Sequence, residues 1–382
     1  MKIAIITLPL HTNYGGILQT YAMQKVLIDM GHTPITIDYD RRVRLPLNTR
    51  YLVYAKNAFK HYILRKENSV FPDIEFNKEW DYKTQNTRDF IETYIRRKIV
   101  KKVDEINRNE FDAYIVGSDQ IWRYLYNRDF PGTRNAFLEF AKEWNVKRIA
   151  YAVSFGTDEW EYSQEETLEC AKLAKLFNAI SVRESSAVNI CKEKLGVGAA
   201  HILDPTMLVP TEEYIKLFQE AEIPESSGNL ICYILDRNNE TSQIINEIAT
   251  RKNLTPFYTN SKAEDPNAPI SERIQPPVER WLRSFYDAEY VITDSFHACV
   301  FSILFKKPFI VYGNKSRGMA RFSSLLKTFG LEERLIGTSE EAVQVINRPI
   351  VWNKVEQRLK EMKEKSYRFL LNSLAEHLTT NV

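Results

Sequence analysis

The sequence predicts an α/β protein made of two Rossmann-like domains, with a C-terminal helix that packs back across both. Three observations predict it. Short runs rich in β-branched residues alternate with helix-patterned segments, the alternation starts afresh in the second half of the chain, and a long charged amphipathic segment follows it. A chain of 382 residues is also longer than one hydrophobic core usually serves.

The first segments form a predicted strand–helix–strand unit. Lys2–Leu8 is a short apolar run typical of a strand, and Ile17–Met30 repeats apolar residues every four positions, as a helix does. Gly31 is placed to end that helix, and Thr33–Tyr39 is rich in alternating β-branched residues. A unit of this kind implies a parallel sheet.

The same alternation continues along the chain. After residue 95 we expect a helix to about Asn107, and then strand Asp112–Val116, strand Arg148–Ser154, helix Glu165–Phe177, strand Ala179–Val182 and helix Ser185–Lys194. A second series starts near residue 208: strand Leu230–Leu235, helix Thr241–Lys252, strand Thr255–Tyr258, helix Val278–Tyr286, strand Tyr290–Thr293, helix Phe296–Phe305 and strand Phe309–Val311.

These patterns divide the chain into an N-terminal domain, residues 1–207, a C-terminal domain, residues 208–350, and a C-terminal helix within residues 351–382, where Val351–Leu378 has an apolar face. Two such domains and a terminal helix indicate a GT-B-like architecture. Its site is expected in the cleft at the carboxyl ends of the two sheets.

Composition excludes several classes of protein. A net charge of +2 argues against broad nucleic-acid binding, and no apolar run approaches the roughly 20 residues that cross a bilayer. The opening MKIAIITLPL leads into a glycine turn rather than a cleavage site, so we expect a strand, not a signal peptide. Four scattered cysteines suggest neither disulfides nor a metal site, and the expected location is the cytoplasm. No cofactor is predicted.

Two polar segments follow predicted strands of the first domain. In the turn His11–Gly16, Asn13, Gly15 and Gly16 precede a helix whose free N–H groups suit an anion or a polar ligand, although a simple glycine turn explains them equally well. In Val116–Trp122, Asp119 and Gln120 stand beside a tryptophan, a combination that suits a sugar. Asp119 could instead cap a helix.

A histidine opens a buried helix in the second domain. The strand Tyr290–Thr293 runs into Asp294 and Ser295, which are helix-capping residue types, and His297 falls in the first helical turn. That position welcomes an anionic ligand, although a hydrogen-bonded core histidine is the alternative.

Cations near the site could bind phosphate and carboxylate groups. Lys315, Arg317 and Arg321 follow the next strand, and Arg183 ends a strand of the first domain. Solvated surface charge, and for Arg183 an ion pair with Glu184, are the structural alternatives.

The segment from Arg41 to Lys66 carries eight basic residues, no acid and many aromatic residues. A partly helical insertion of this composition can lie on an anionic membrane surface, and an ordinary surface insertion is the alternative. The expected location therefore includes the inner face of a membrane.

The ordered blocks ITLPLHTNYGGILQTYAMQ, VGSDQIW, SVRES, LDPT and TDSFHACVFSILFKKPFIV resemble those of the polysaccharide pyruvyl transferase family. The resemblance implies a GT-B-like fold, phosphoenolpyruvate as donor substrate and, as acceptor, a sugar in a cell-surface polysaccharide, usually on a lipid carrier. It also implies that His297 matches the family's functional histidine.

One position departs from the family pattern. Many members have arginine two residues before the histidine, where this chain has Ser295. Other cations must then meet the donor, and Arg183, Lys315, Arg317 and Arg321 are the candidates. We expect His297 and Asp119 to be catalytic, Ser295 to adjoin the donor, and Asn13, Gly15, Gly16 and Gln120 to contact the acceptor. A nucleotide-sugar glycosyltransferase and a non-catalytic glycan-binding protein are the alternatives.

Overall fold

The computed structural model describes residues 1–66, 69–128, 130–263, 265, 267–313 and 318–375. Within these residues the chain forms two β-sheets, and every strand pair within them is parallel. Because the strands of a parallel sheet share one direction, all carboxyl ends of a sheet lie at one edge.

The first sheet has seven strands in the order β3-β2-β1-β4-β5-β6-β7. They are β1 (Lys2–Ile6), β2 (Thr33–Tyr39), β3 (Arg97–Val100), β4 (Ala113–Val116), β5 (Lys147–Val153), β6 (Ala179–Val182) and β7 (Ala200–His201). The second has five in the order β12-β11-β10-β8-β9. These are β8 (Leu230–Tyr233), β9 (Pro256–Phe257), β10 (Tyr290–Thr293), β11 (Phe309–Tyr312) and β12 (Leu335–Ile336).

Helices connect these strands. They are α1 (Tyr14–Asp29), α2 (Leu47–Tyr62), α3 (Pro72–Tyr94), α4 (Tyr124–Asn127), α5 (Gln164–Ala174), α6 (Ser185–Ile190), α7 (Thr211–Glu220), α8 (Asn239–Lys252), α9 (Val278–Asp287), α10 (Phe296–Leu304), α11 (Ala320–Phe329), α12 (Ser339–Val345) and α13 (Trp352–Leu374). Within the described residues, no helix is both long enough and apolar enough to cross a membrane.

The expected helix between residue 95 and Asn107 is wrong. The helix lies earlier, at α3, and the segment contains strand β3, which pairs with β2 from Thr36 opposite Arg97 to Tyr39 opposite Val100. Ile95, Ile99 and Val103 recur at a helix-like spacing, but β-branched side chains favour extended backbone. Hydrogen bonding to β2 at the edge of the sheet makes this segment a strand rather than a helix.

One hydrophobic core joins the two sheets. It contains Ile3 and Ile5 from β1 together with Ile231 from β8 and Val291 from β10, all fully buried. The domain boundary expected after residue 207 falls between β7 and β8. It stays a prediction, because the core itself is continuous.

The C-terminal helix α13 packs against both halves of the chain, as predicted. Its Ser366 Oγ accepts a hydrogen bond from the Leu203 amide at 3.1 Å, and Lys147 Nζ on β5 donates to the carbonyl of Leu374 at 3.1 Å. On the other side α13 contacts α11, which lies between β11 and β12 of the second sheet in the sequence. The helix thus holds the two halves of the molecule together.

Candidate active site

The carboxyl ends of β1, β4 and β10 open onto one cleft of about 1050 Å³. Eight of the residues singled out in the sequence line it: Asn13, Gly15, Gly16, Asp119, Gln120, Ser295, His297 and Arg321. These residues lie on loops and helices that connect the strands of both sheets. Lys315 and Arg317 lie outside the described residues.

Helix α1 points its N-terminus into this cleft. Asn13 is the capping residue, with extended backbone, and its Oδ1 accepts a hydrogen bond from the Gly15 amide at 3.1 Å. Its other side-chain atom, Nδ2, lies 3.4 Å from Asp119 Oδ2. Asn13 therefore fixes the start of the helix and connects it to the loop that follows β4.

His297 approaches the first turn of α1 closely. A Cβ atom placed on Gly15 would lie 2.0 Å from Nδ1 of His297 and 2.5 Å from its Cγ. Such distances are far inside van der Waals contact, so only glycine leaves room for the imidazole ring. The requirement is for space, because Gly15 lies within α1 and has no positive φ angle.

His297 is held from its other edge by Asp204. Asp204 Oδ2 lies 3.5 Å from His297 Nε2 and accepts hydrogen bonds from Ser118 Oγ at 2.7 Å and from Arg183 at 2.9 Å. Burial alone would raise the pKa of Asp204. The nearby imidazole of His297, together with Arg183 and Thr206, holds that pKa well below its usual range. The carboxylate of Asp204 therefore stays ionised beside the imidazole ring.

Asp119 sits in an unusual backbone conformation at the end of β4. Its φ angle is +64°, in the left-handed region that few residues other than glycine adopt. Its carbonyl accepts a hydrogen bond from the Ser154 amide at 3.0 Å, which ties the loop to β5. This conformation directs the carboxylate to the cleft, so the helix-capping alternative does not apply: the next helix, α4, starts after Arg123.

Arg183 does not line the cleft. It forms ion pairs with acidic residues, which is the structural alternative given for it above. It is buried behind the wall, and three carboxylates surround it: Asp204 at 2.9 Å, Glu184 at 3.5 Å and Asp119 at 3.7 Å. Burial favours the neutral guanidine, but these three charges together raise the pKa of Arg183. The charge of Arg183 is thus balanced by Asp204, Glu184 and Asp119, and its role as a donor ligand stays a prediction.

Arg321, on α11, brings a positive charge to the cleft. It is mostly buried, and burial, aided by the charge of Arg183, lowers the pKa of Arg321 to about 10. Arg321 therefore remains protonated at neutral pH. The nearby Gly318 packs tightly against the loop that follows β5, since a Cβ atom there would lie 1.8 Å from the Gly156 carbonyl oxygen.

One local expectation for this region is wrong. Trp122 offers no platform to a sugar, because it is fully buried and stacks on Phe137 at 4.4 Å. Of the capping residue types before α10, Ser295 occupies the cap position, without a side-chain hydrogen bond to the helix. The Asp294 carboxylate accepts hydrogen bonds from the amides of Leu235 and Asp236, at 2.8 and 3.0 Å.

The outer part of the cleft carries a histidine of different character. His11 is packed against Trp80, with ring centroids 5.8 Å apart. Burial, with the charges of Arg41 and Lys83, lowers the pKa of His11 to about 3, so the ring is neutral at neutral pH. Arg41 also lines the cleft here and stacks over the Trp80 ring at 5.5 Å.

Asp204 is the functional residue that reasoning from the sequence missed. It follows β7, a strand of only two residues, so no strand pattern marked it as a sheet-end position. A signal existed in the block LDPT, where Asp204 precedes a proline and Thr206, whose amide and hydroxyl both bond to the carboxylate. Glu184 was noted only as a partner for Arg183, and its carboxylate also accepts a hydrogen bond of 2.5 Å from Ser154 Oγ.

Comparison with solved structures confirms the GT-B-like fold. Neisseria meningitidis UDP-GlcNAc 2-epimerase bound to UDP-GlcNAc aligns over 98% of this chain and 99% of its own, with a TM-score of 0.51 and 12% identity. Arabidopsis thaliana UGT89C1 complexed with UDP-L-rhamnose aligns over 97% of both chains, with a TM-score of 0.53 and 7% identity. At such low identity the likeness shows the fold alone.

Sequence comparison establishes the family. Among curated proteins, none matches the chain. The family model for polysaccharide pyruvyl transferases matches residues 13–316, which include the start of α1, the loop after β4 and the whole of α10. The chain therefore belongs to the polysaccharide pyruvyl transferase family.

Proposed function

We propose that the protein transfers a pyruvyl group from phosphoenolpyruvate to two hydroxyls of a sugar in a polysaccharide or its precursor, forming a cyclic ketal. The single observation that carries the proposal is the pair formed by His297 and Asp204 at the N-terminus of α10, packed so closely on the N-terminus of α1 that only glycine fits at position 15. The family membership of the chain supports it.

The donor side of the cleft suits an anion with two charged ends. Within the described residues, Ser295 at the cap position of α10 makes no side-chain hydrogen bond to the helix, and the N–H groups of the first helical turn can bind a phosphate or a carboxylate there. Arg321 adds a buried positive charge. From their position in the sequence alone, Lys315 and Arg317 are further residues proposed to bind phosphoenolpyruvate.

The acceptor side is built from neutral and acidic hydrogen-bonding groups. Asn13, Asp119 and Gln120 line the cleft together, and Gly16 lets a ligand approach the backbone of α1. Side-chain amides and carboxylates of this kind bind sugar hydroxyls. Among the aromatic residues, Tyr126, which is 42% exposed, lines the same wall and replaces Trp122 as the surface for a sugar ring.

The chemistry can be divided between His297 and Asp119. Protonated His297 gives its proton to the methylene carbon of the enol phosphate, which makes the adjacent carbon electron-poor. A sugar hydroxyl then adds to that carbon while Asp119 accepts its proton. Phosphate leaves with the bridging oxygen, a second hydroxyl adds to the same carbon and loses its proton, and the ketal closes. Atoms balance as donor plus diol to ketal plus inorganic phosphate.

Asp204 supports His297 throughout this cycle. Its ionised carboxylate lies 3.5 Å from Nε2, on the side of the ring away from Gly15, and orients the imidazole for the first step. Since Asp204 is buried and held by Ser118, Thr206 and Arg183, it fixes the ring without reaching the substrate. Asp204 is therefore a positioning residue.

Ligand-dependent thermal stability tests the proposal. Phosphoenolpyruvate should stabilise the protein, by about 2.7 kcal/mol when present at about 100 times its dissociation constant. The Arg321→Gln variant should lose most of that shift. The fold neighbours bind UDP-sugars, so UDP-GlcNAc and UDP-L-rhamnose are the rival ligands. Stabilisation by nucleotide sugars and not by phosphoenolpyruvate would replace the proposal with glycosyl transfer.

A further inference from the structure

Helix α2 turns apolar side chains toward solvent. None of its residues is buried, and the exposed fractions are 66% for Tyr51, 64% for Leu52, 56% for Phe59 and 72% for Tyr62. At 100° per residue these four fall on one side of the helix, within an arc of roughly a third of a turn. Large exposed apolar side chains gathered on one side of a helix mark an interaction surface.

The opposite side of α2 is fixed to the protein. Tyr54 Oη donates a hydrogen bond of 2.7 Å to Asp73 at the start of α3, and its ring packs on that of Phe71 with centroids 4.8 Å apart. Arg50 pairs with Asp73 at 3.6 Å. Because these contacts set the rotation of the helix, the apolar side faces outward, and no residue in the described part of the chain covers it.

Positive charge surrounds the apolar side. The segment from Arg41 to Lys66 contains eight lysines and arginines and no acid. Three of them are neutralised by acids, since Arg42, Arg44 and Arg50 pair with Asp81, Asp40 and Asp73. Four more make no ion pair with any described residue. Lys56, Arg65 and Lys66 are exposed and Lys60 is half-buried, and all four lie on α2 or just after it.

We propose that this surface, formed by the outward side of α2 and residues 63–66, lies on a lipid bilayer with anionic headgroups. Tyrosine, phenylalanine and leucine side chains insert at the headgroup boundary, while lysine and arginine reach anionic phosphates beside them. An anionic bilayer binds the apolar and the basic side chains at the same time. Ile63 and Leu64, 65% and 51% exposed, extend the same apolar surface past the end of the helix.

The chain segment that leads into α2 starts at the cleft. Arg41, at the start of the basic segment, lines the outer part of the cleft and stacks over Trp80 of α3. Docking through α2 would therefore hold the cleft mouth close to the bilayer, where a lipid-linked acceptor could enter it. The membrane contact itself follows from α2 and does not rest on the proposed function.

Vesicle flotation tests the proposal on the purified full chain. Vesicles of phosphatidylcholine with phosphatidylglycerol should carry the protein upward, and vesicles of phosphatidylcholine alone should carry much less. Raising the salt from about 0.1 M to about 1 M shortens the screening length from ~10 Å to ~3 Å and should release most of the bound protein. Each basic residue near such a surface strengthens partitioning by about fivefold.

Two sets of variants with the same change in net charge sharpen the test. The quadruple variant K56Q/K60Q/R65Q/K66Q should lower the partition coefficient by about a hundredfold or more. The matched control K142Q/K175Q/K192Q/K194Q removes four exposed charges from the other edge of the first sheet and should bind nearly as wild type. A third variant, Y51S/F59S/Y62S, should lose the binding that survives high salt.

Equal binding of the quadruple variant and its control, or no binding of wild type to anionic vesicles at low salt, would overturn the proposal. Sedimentation of the wild type and of Y51S/F59S/Y62S without lipid tests whether a second copy of the chain binds α2 instead of a bilayer. If the wild type is a dimer that this variant dissociates, and vesicles bind both equally, then a second copy of the chain covers α2 and the membrane proposal fails.

Discussion

Gly15→Ala perturbs the closest approach between the two halves of the site. The new methyl group would lie 2.0 Å from His297 Nδ1, 2.5 Å from Cγ and 2.6 Å from Cε1. Restoring ordinary contact at about 3.4 Å requires the imidazole to retreat by about 1.4 Å. Since His297 is only 6% exposed and Asp204 lies on its far side, the ring must leave its present position.

The expected effect on catalysis is larger than that on stability. A catalytic group displaced by about 1 Å costs on the order of 10²-fold in rate, so turnover should fall by at least that factor. Overpacking costs about 1–3 kcal/mol, but alanine is favoured over glycine within a helix by about 0.5–1 kcal/mol. The free energy of unfolding should therefore fall by only about 0–2.5 kcal/mol.

A double-mutant cycle on turnover and melting temperature provides the assay. In the His297→Ala background the clash is gone, so Gly15→Ala should cost no further activity and should stabilise the protein. Gly198→Ala is the control, because a Cβ there meets nothing within 4 Å. Independent, additive losses from the two substitutions would refute the reasoning that Gly15 acts by making room for the imidazole.

Three further substitutions follow from the same site. His297→Ala should lower turnover by roughly 10²–10⁴-fold with little change in melting temperature, whereas a core histidine would give an unstable variant with normal activity per folded molecule. Asp119→Asn should impair turnover while calorimetry shows phosphoenolpyruvate binding nearly intact, and loss of donor binding would mean that the donor and acceptor sides are reversed. Asp204→Asn should lower the free energy of unfolding by about 3 kcal/mol at pH 7. The pKa of Asp204 is depressed in the folded protein, so this difference from wild type should persist above the unfolded-state pKa of about 4 and shrink as the pH falls through the folded-state pKa. A difference that grows on acidification would contradict this assignment.

Much of the fold could be predicted from the sequence because local pattern and tertiary structure agree there. In the unit β1–α1–β2 the predicted strand Thr33–Tyr39 has its observed bounds, and the N-terminal α1 boundary moved only from Ile17 to Tyr14. The segment around β3 failed for a physical reason. Its apolar spacing fits a helix, and only pairing with β2, a contact that is distant in sequence, makes it a strand.

The site could be predicted where it depends on sheet topology alone. Parallel strands bring their carboxyl ends to one edge, so polar residues after β4 and β10 had to meet near the start of α1, and Asp119 and His297 do line one cleft. Side-chain direction is not set by such a pattern. Arg183 turns inward to three carboxylates, and Trp122 turns into the core, because partners far along the chain determine where each can be satisfied.

Isotope tracing of the reaction tests the central claim, transfer of a pyruvyl group from phosphoenolpyruvate, most directly. The protein is incubated in D₂O with an oligosaccharide acceptor and donor carrying ¹⁸O in the bridging position, and product and phosphate are examined by mass spectrometry. Addition at the central carbon predicts one deuterium in the ketal methyl group and the ¹⁸O in inorganic phosphate, with both products lost in His297→Ala. A phosphorylated sugar, or a ketal without deuterium, would contradict the account.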